Sequence, residues 1–374
     1  MKVSLLQETL SPALSTVSRF VALRAQLPIL SHILINTDNG RLKLSATNLE
    51  MGINYWIGGK IDIEGSLAIP AKEITEFISY LPTGKLDLVL NPQSLLEISS
   101  TKANSTFTTS PTSDYPAIPV IDTKTAIDIS LKTFSNAISE VAFAASTDDS
   151  RPVLTAVLCI FTPTNFKLVA TDGFRLSVKE IAHEEPITLP DGVDQLTFLI
   201  PSKSLSEVSK MTKTVDKIKF GLSEDSHQLV FVTPDIELSS RLIEGDFPDY
   251  NRIIPSSFST TISLSKDEFA QSIKIASVFA RESANVVKLS IKNNQVEVSA
   301  NAVQVGQNKV SVDSKVEGEP LEIAFNYKFI SDFLSICQGE NITISLNEPL
   351  TPGLFQDTSN PTLTHIIMPV RIQD

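Results

Sequence analysis

The feature that most constrains this chain is an internal repeat, because a fold built three times over cannot be an arbitrary one. Three segments share one plan: a short alternating strand, a polar step, then apolar residues at helical spacing. The first runs from Val3 to Leu10 and continues through Leu14 and Val17; the second runs from Ile127 to Phe134 and continues through Ile138 and Val141. The third runs from Ile262 to Phe269 and continues through Ile273 and Ala276. A second triplet lies midway through each copy: Ala68-Ile-Pro-Ala-Lys72, Leu199-Ile-Pro-Ser-Lys203 and Ala324-Phe-Asn-Tyr-Lys328. Each is a strand end, a breaker, a lysine at a helix start and an apolar helix face closing at Phe77, Val208 or Phe333. Both series advance by similar intervals, Val3 to Ile127 to Ile262 and Lys72 to Lys203 to Lys328. The reading is three copies of one α+β domain, each with two helices.

The rest of each copy alternates with period two, as in Leu42–Thr47, Leu86–Leu90, Lys217–Leu222, Val287–Ile291 and Ile342–Leu346. Turn residues such as Asp38-Asn39-Gly40 and Asn293-Asn294 punctuate these strands. Proline-bearing passages at 116–122 and 253–257 precede a new repeat and place domains at 1–121, 122–254 and 255–374.

Charge narrows the function. With a formal net charge of -12, the chain is a poor candidate for grasping a polyanion over its whole surface. Any such contact is confined to a local basic surface. The six helical segments (7–24, 71–80, 131–146, 202–213, 266–283 and 327–337) carry eleven positive against nine negative side chains, so the deficit lies elsewhere. Arg24, Lys72, Lys203, Lys210 and Lys328 are the candidates for that surface. Helices lining the hole of a closed ring of repeats would set Lys72, Lys203 and Lys328 at equivalent positions around it. A mobile ammonium suits phosphates without demanding fixed geometry. No recognition helix or zinc finger is present, so base reading is not expected.

Other classes find little support. Cys159 and Cys337 sit in apolar surroundings and read as buried thiols. His32, His183, His227 and His365 have no metal-ligand spacing, and Gly59-Lys60 is followed by Ile61 rather than Ser or Thr, so there is no P-loop. Ser99–Lys102 matches only the bare S-x-x-K spacing, without its partner motifs. No catalytic residue, metal or cofactor is expected. No run approaches the ~20 apolar residues of a membrane span, and Met1–Leu10 lacks the form of a secretory signal, so a cytoplasmic protein is expected. The alternative is a non-catalytic β-rich scaffold of three repeats, which leaves the recurring lysine unexplained.

The stretch Leu168-Val-Ala-Thr171-Asp172-Gly173-Phe174-Arg175-Leu176-Ser177 resembles the signature of bacterial sliding clamps, the beta subunit of DNA polymerase III. So do Glu244–Pro255, the ending Ile366–Arg371, and the segments Leu27–Leu30 and Thr47–Glu50. The resemblance spans the chain in order. It implies a DNA clamp fold whose two copies close head to tail into a six-domain ring around double-stranded DNA, without sequence preference. It also implies loading by a clamp loader and tethering of the DNA polymerase III catalytic subunit and other proteins that carry a clamp-binding motif. A hydrophobic cleft between the second and third domains would receive their peptides. Matched position by position, the cleft comprises Leu154, Thr171, Gly173, Phe174, Arg175, Leu176, Pro248, Arg252, Ile253, Leu350 and Pro352, with Ile366, Ile367, Met368, Pro369, Val370 and Arg371. Phe107 on one side and Val278 with Phe279 on the other match the family's dimer contact. Phe174 stands where many relatives carry histidine, which implies a more apolar cleft, and Gln373 and Asp374 extend past the usual ending. Apart from the resemblance, Asp172-Gly173 is a strong turn signal that places Phe174 to Leu176 at the start of the next strand.

Overall fold

The computed structural model describes residues 1–22, 27–122, 126–190, 192–211, 215–223, 228–292 and 294–371. The six expected helices are present: α1 (Gln7–Val17), α2 (Ala71–Tyr80), α3 (Leu131–Val141), α5 (Ser202–Val208), α6 (Lys266–Ala280) and α7 (Tyr327–Ile336). One further turn of helix, α4 (Pro152–Thr155), follows Arg151. The repeated apolar positions are the buried ones: Leu10, Leu14 and Val17 on α1, Phe134, Ile138 and Val141 on α3, and Phe269, Ile273 and Ala276 on α6. Spacing of three and four residues keeps each set on one helix face. Local chemistry sets the ends. The Ser265 hydroxyl accepts from the Glu268 N–H at the start of α6, and the Asn326 side chain accepts from the Lys328 N–H at the start of α7. Pro82 holds Leu81 extended and stops α2. Among the described residues, no helix is long and apolar enough to cross a membrane.

The chain divides into two compact units. The first takes Met1–Lys132 and Lys210–Leu242. It holds a five-stranded sheet in the order Lys60–Ile63, Lys2–Leu6, Lys85–Leu90, Leu95–Ser99 and Asn104–Thr108. Its second sheet has eight strands: Ile127–Ser130, Lys217–Leu222, Gln228–Val232, Ile236–Arg241, Met51–Ile57, Arg41–Thr47, His32–Asp38 and Ser66–Pro70. The tight turn between His32–Asp38 and Arg41–Thr47 falls on Asn39 and Gly40, at φ 49° and 76°, as the sequence predicts.

The second unit takes Thr133–Ser209 and Ile243–Asp374. Its single sheet has twelve strands: Leu196–Pro201, Ala156–Phe161, Asn165–Thr171, Arg175–Ala182, Leu363–Ile367, Gly353–Asp357, Asn341–Leu346, Thr260–Ser265, Gly306–Gly318, Gln295–Ala302, Val286–Lys292 and Leu321–Asn326. The long strand Gly306–Gly318 pairs with Gln295–Ala302 along its first half and with Thr260–Ser265 along its second.

The repeat carries into the strand pairing. Each copy has two three-stranded meanders, and copies are stitched together by the last strand of one meander. Ile236–Arg241 of the second copy pairs antiparallel with Met51–Ile57 of the first, Leu238 opposite Ile53. Leu363–Ile367 of the third pairs in the same way with Arg175–Ala182 of the second, His365 opposite Ser177. The equivalent strands at the two ends of the series are Asn104–Thr108 and the segment 306–313. Among the described pairings each of these has a neighbour on one side only.

The joint between the second and third copies buries polar groups. Lys179 pairs with Glu140 at 2.7 Å, and the Asn360 amide donates to Glu140 at 3.0 Å. His365 is fully buried, 2.7 Å from the Ser177 hydroxyl through Nδ1, with its ring stacked on Phe333 at 5.2 Å. Burial, aided by the Arg175 charge, lowers the His365 pKa to about 3. The unfolded chain therefore binds more protons than the folded one between that value and about 6.5. Stability should fall as pH drops through this window. Urea midpoints at pH 7 and pH 4 should differ less for His365→Gln than for the parent; an unchanged difference would show that His365 contributes nothing to the acid response. Cys159 and Cys337 are both buried free thiols, as their surroundings predict; burial raises both, Cys337 to about 12.

Candidate functional site

The cleft signature lies on a hairpin whose geometry follows from its residues. Asn165–Thr171 and Arg175–Ala182 are joined by a turn at Asp172 and Gly173, and Gly173 has φ 91°, a conformation that favours glycine. The Asp172 carboxylate accepts from the Phe174 and Arg175 N–H groups at 2.8 and 3.0 Å. The Thr171 hydroxyl donates to the Arg175 carbonyl at 2.6 Å and accepts from the Gly173 N–H. The turn reaches one residue further than the sequence predicts. Phe174 belongs to it rather than to the strand, and its ring is 58% exposed.

The strand after the turn aligns a row of apolar side chains. Leu176 faces Ile366 on Leu363–Ile367, and Ile366 faces Leu354 on Gly353–Asp357. Leu176 and Ile366 join Ala156, Leu158, Val169, Val178, Leu199 and Tyr250 in one buried cluster. Val153, Ile243, Phe247, Ile253 and Leu354 pack around it half-buried. Ile367 points the other way, into the core of the third repeat, since successive strand residues face opposite sides. The Met368 N–H donates to the Phe174 carbonyl at 2.8 Å, which ties the end of the chain to the turn.

Exposure separates floor from rim. Thr171, Leu176 and Ile366 are buried, as is Ile367 on the opposite face, whereas Phe174, Pro248, Leu350 and Arg371 are exposed. Leu154, Pro352, Met368, Pro369 and Val370 lie between. The arginines also divide. Arg252 is 85% exposed and pairs with its neighbour Asp249, at 2.8 Å. Arg175 is turned inward. Its guanidinium pairs with Asp172 at 3.0 Å and Asp332 at 2.5 Å, donates to the Phe143 carbonyl at 2.8 Å, and lies against the rings of Phe143 and Phe329. These contacts brace the turn from within the fold. Arg151 approaches the turn from the exposed side: its Nη1 would lie 3.5 Å from a Cβ at Gly173.

Val153, Phe247, Tyr250 and Leu354 were missed from the sequence. None of them carries a periodic signal: Leu354 and Phe355 are adjacent apolar residues in a short strand, and Val153 and Phe247 lie in segments with no regular period.

Lys72, Lys203 and Lys328 each stand second in their helix, in α2, α5 and α7, and each is exposed. Lys210 is exposed just beyond α5; Arg24 lies outside the described residues, as do Gln373 and Asp374. A cation at a helix N-terminus opposes the helix dipole, at a cost of about 0.3–1 kcal/mol each. Helix stability therefore does not account for a lysine recurring three times at that place. Phe107 lies on the edge strand Asn104–Thr108 and meets Phe77 edge-on at 5.2 Å. Val278 is 54% exposed on α6, and the neighbouring Phe279 ring would lie 3.8 Å from a Cβ at Gly306, where the other unpaired edge begins.

Comparison with known proteins agrees with this architecture. The N-terminal, central and C-terminal domains of the DNA polymerase III beta subunit match residues 1–119, 128–249 and 251–371. The beta sliding clamp of Synechocystis sp. is 30% identical over 389 residues and covers 100% of both chains. That of Staphylococcus aureus is 30% identical over 359 residues, 93% of each. Crystal structures of the Thermotoga maritima beta subunit and the Bacillus subtilis sliding clamp superpose with a TM-score of 0.91, at 27% and 28% identity, each over 100% of both chains. The chain is built as a three-domain DNA clamp, α+β with its helices set on antiparallel sheets. It belongs to the DNA polymerase III beta subunit family, the bacterial sliding clamps.

Proposed function

We propose that two copies of this chain close head to tail into a ring around double-stranded DNA, and that the cleft holds peptide segments of the replicative polymerase, the clamp loader and other partners. The chain acts by tethering, as a processivity factor, and no chemical step is assigned to it. Its domains are 1–121, 122–254 and 255–374.

One observation carries this reading. The ladder that joins copy to copy occurs twice within the chain, and the third complementary pair of edges, Asn104–Thr108 and 306–313, is left over. Unpaired edges invite another chain, and a head-to-tail contact that repeats either closes or grows into a filament. Two copies satisfying each other's edges close it. The scaffold alternative gives these edges no use and the three lysines no role.

A ring held by topology is tested on circular DNA. Loaded onto a nicked plasmid by a clamp loader, the protein should co-elute with it in gel filtration and be lost when the plasmid is cut once. Equal retention on linear DNA would mean direct binding and overturn encirclement. Lys72→Glu, Lys203→Glu and Lys328→Glu together should cut loading at least tenfold and leave the dimer intact, because phosphate contacts are weak individually and act together; normal loading would reject the lysine assignment.

For the cleft, Phe174→Ala and Leu350→Ala are the clean probes, since both side chains are exposed. Each should weaken a leucine-bearing polymerase peptide by more than ~1 kcal/mol with thermal stability unchanged. Leu176→Ala, at a fully buried site, should destabilise the fold by about 2–5 kcal/mol as well. Calorimetric titration beside thermal melting separates the two effects. Unaltered peptide affinity in both surface variants would place the site elsewhere.

A further inference from the structure

The same elements that build the cleft occur in the first repeat, where they line an open polar pocket of about 340 Å³. The match is residue for residue. Leu34 opposes Ser45 as Leu158 opposes Val169, and Thr47 opposes Gly52 as Thr171 opposes Leu176. Across both sheet faces runs a segment with the pair Asp-Tyr, Asp114-Tyr115 here and Asp249-Tyr250 in the cleft. Tyr115 is pinned by its hydroxyl, which donates to the carbonyls of His32 and Ser45 at 3.1 and 3.3 Å.

The lining is of opposite character. Ser45 replaces Val169, Asn54 replaces Val178 and Asn36 replaces Ile160, so valines and isoleucine give way to hydroxyl and amide. Asn54 is already committed, accepting from the Ser45 hydroxyl at 2.8 Å and donating to Glu237 at 3.2 Å. Asn36 is not: its Oδ1 has no hydrogen-bond partner among the described residues. That oxygen is shielded as it stands, so a donor reaches it once the Asn36 side chain turns toward the pocket, and it then gains a bond rather than exchanging one. Lys43 borders the same pocket, with its ammonium 4.7 Å over the Trp56 ring.

We propose that this pocket is a second peptide site, selective for a polar segment that offers amide or hydroxyl donors, where the cleft of the second and third repeats takes leucine and aromatic anchors. Lys43 at its border selects against basic segments. The choice of a peptide as occupant rests on the peptide reading of that cleft; the pocket's polarity does not.

The chain's single tryptophan is the reporter. An acetylated, amidated hexapeptide of alternating Gln and Ser should change Trp56 emission saturably and shift the amide NMR signals of Asn36 and Ser45. A leucine-bearing hexapeptide should leave both unmoved while shifting Phe174 and Leu350. Asn36→Ala should weaken the Gln/Ser peptide at least tenfold and spare the leucine peptide. The inference fails if the Gln/Ser peptide gives no saturable change, or binds Asn36→Ala as well as the parent. Failure of the leucine peptide alone at Phe174 would instead remove the cleft reading, so the two sites are judged separately.

Discussion

A chain carrying Phe107→Asp and Val278→Asp should sediment as a monomer at micromolar concentration, where the parent should sediment as a dimer. Phe107 lies on one of the strand edges that the repeat leaves unpaired, and Val278 is exposed on α6 beside Phe279, whose ring approaches Gly306 where the other edge begins; both side chains are apolar. Truncating a central apolar contact typically costs about 2 kcal/mol or more, and a carboxylate there adds desolvation. The loss is at least roughly 4 kcal/mol at each contact, and a two-copy head-to-tail ring has two identical contacts, so it counts twice. Phe107 also packs on Phe77, so Val278→Asp alone is the control whose fold is undisturbed. It should shift the dissociation constant by an order of magnitude or more, read by analytical ultracentrifugation. A double variant that stays dimeric would mean that these edges do not meet.

Arg175→Ala should be strongly destabilising although it removes a charged side chain. The guanidinium satisfies Asp172, Asp332 and the Phe143 carbonyl and stacks between two rings, with its side chain only 10% exposed. Removing one partner of a buried, hydrogen-bonded pair costs about 3–5 kcal/mol, because the charge left behind has lost its compensation. Asp332 is about half exposed and recovers part of its hydration, which favours the lower end of that range. Arg175→Lys should recover little, since an ammonium cannot engage two carboxylates and a carbonyl while stacking. Urea denaturation followed by circular dichroism gives both numbers. A loss below ~1 kcal/mol for Arg175→Ala would show that the network is not structural.

Much of the fold was legible because the repeat states it three times. Leu10, Phe134 and Phe269 mark equivalent helices, and each equivalent residue is buried. The turn at Asn39 and Gly40 was equally plain. The joints were not. Nothing in the local pattern of Arg175–Ala182 says that its neighbour is Leu363–Ile367, because pairing between strands far apart in sequence leaves no periodic trace. The same limit explains Arg175. The resemblance names it as a cleft residue, and its partners Phe143 and Asp332 come from other elements of the fold. Ile367 stands beside Ile366 in the set of cleft residues that the family resemblance implies, and strand alternation sends it to the opposite face. The polar pocket beneath Tyr115 was hidden for the same reason as the joints. Its lining is assembled from alternate residues of four strands and a crossing segment.

The most direct test of ring closure is negative-stain electron microscopy of the purified protein at micromolar concentration. The expected image is a ring with a central hole and six similar lobes, three from each copy. Compact particles without a hole, at a concentration where ultracentrifugation shows a dimer, would contradict it.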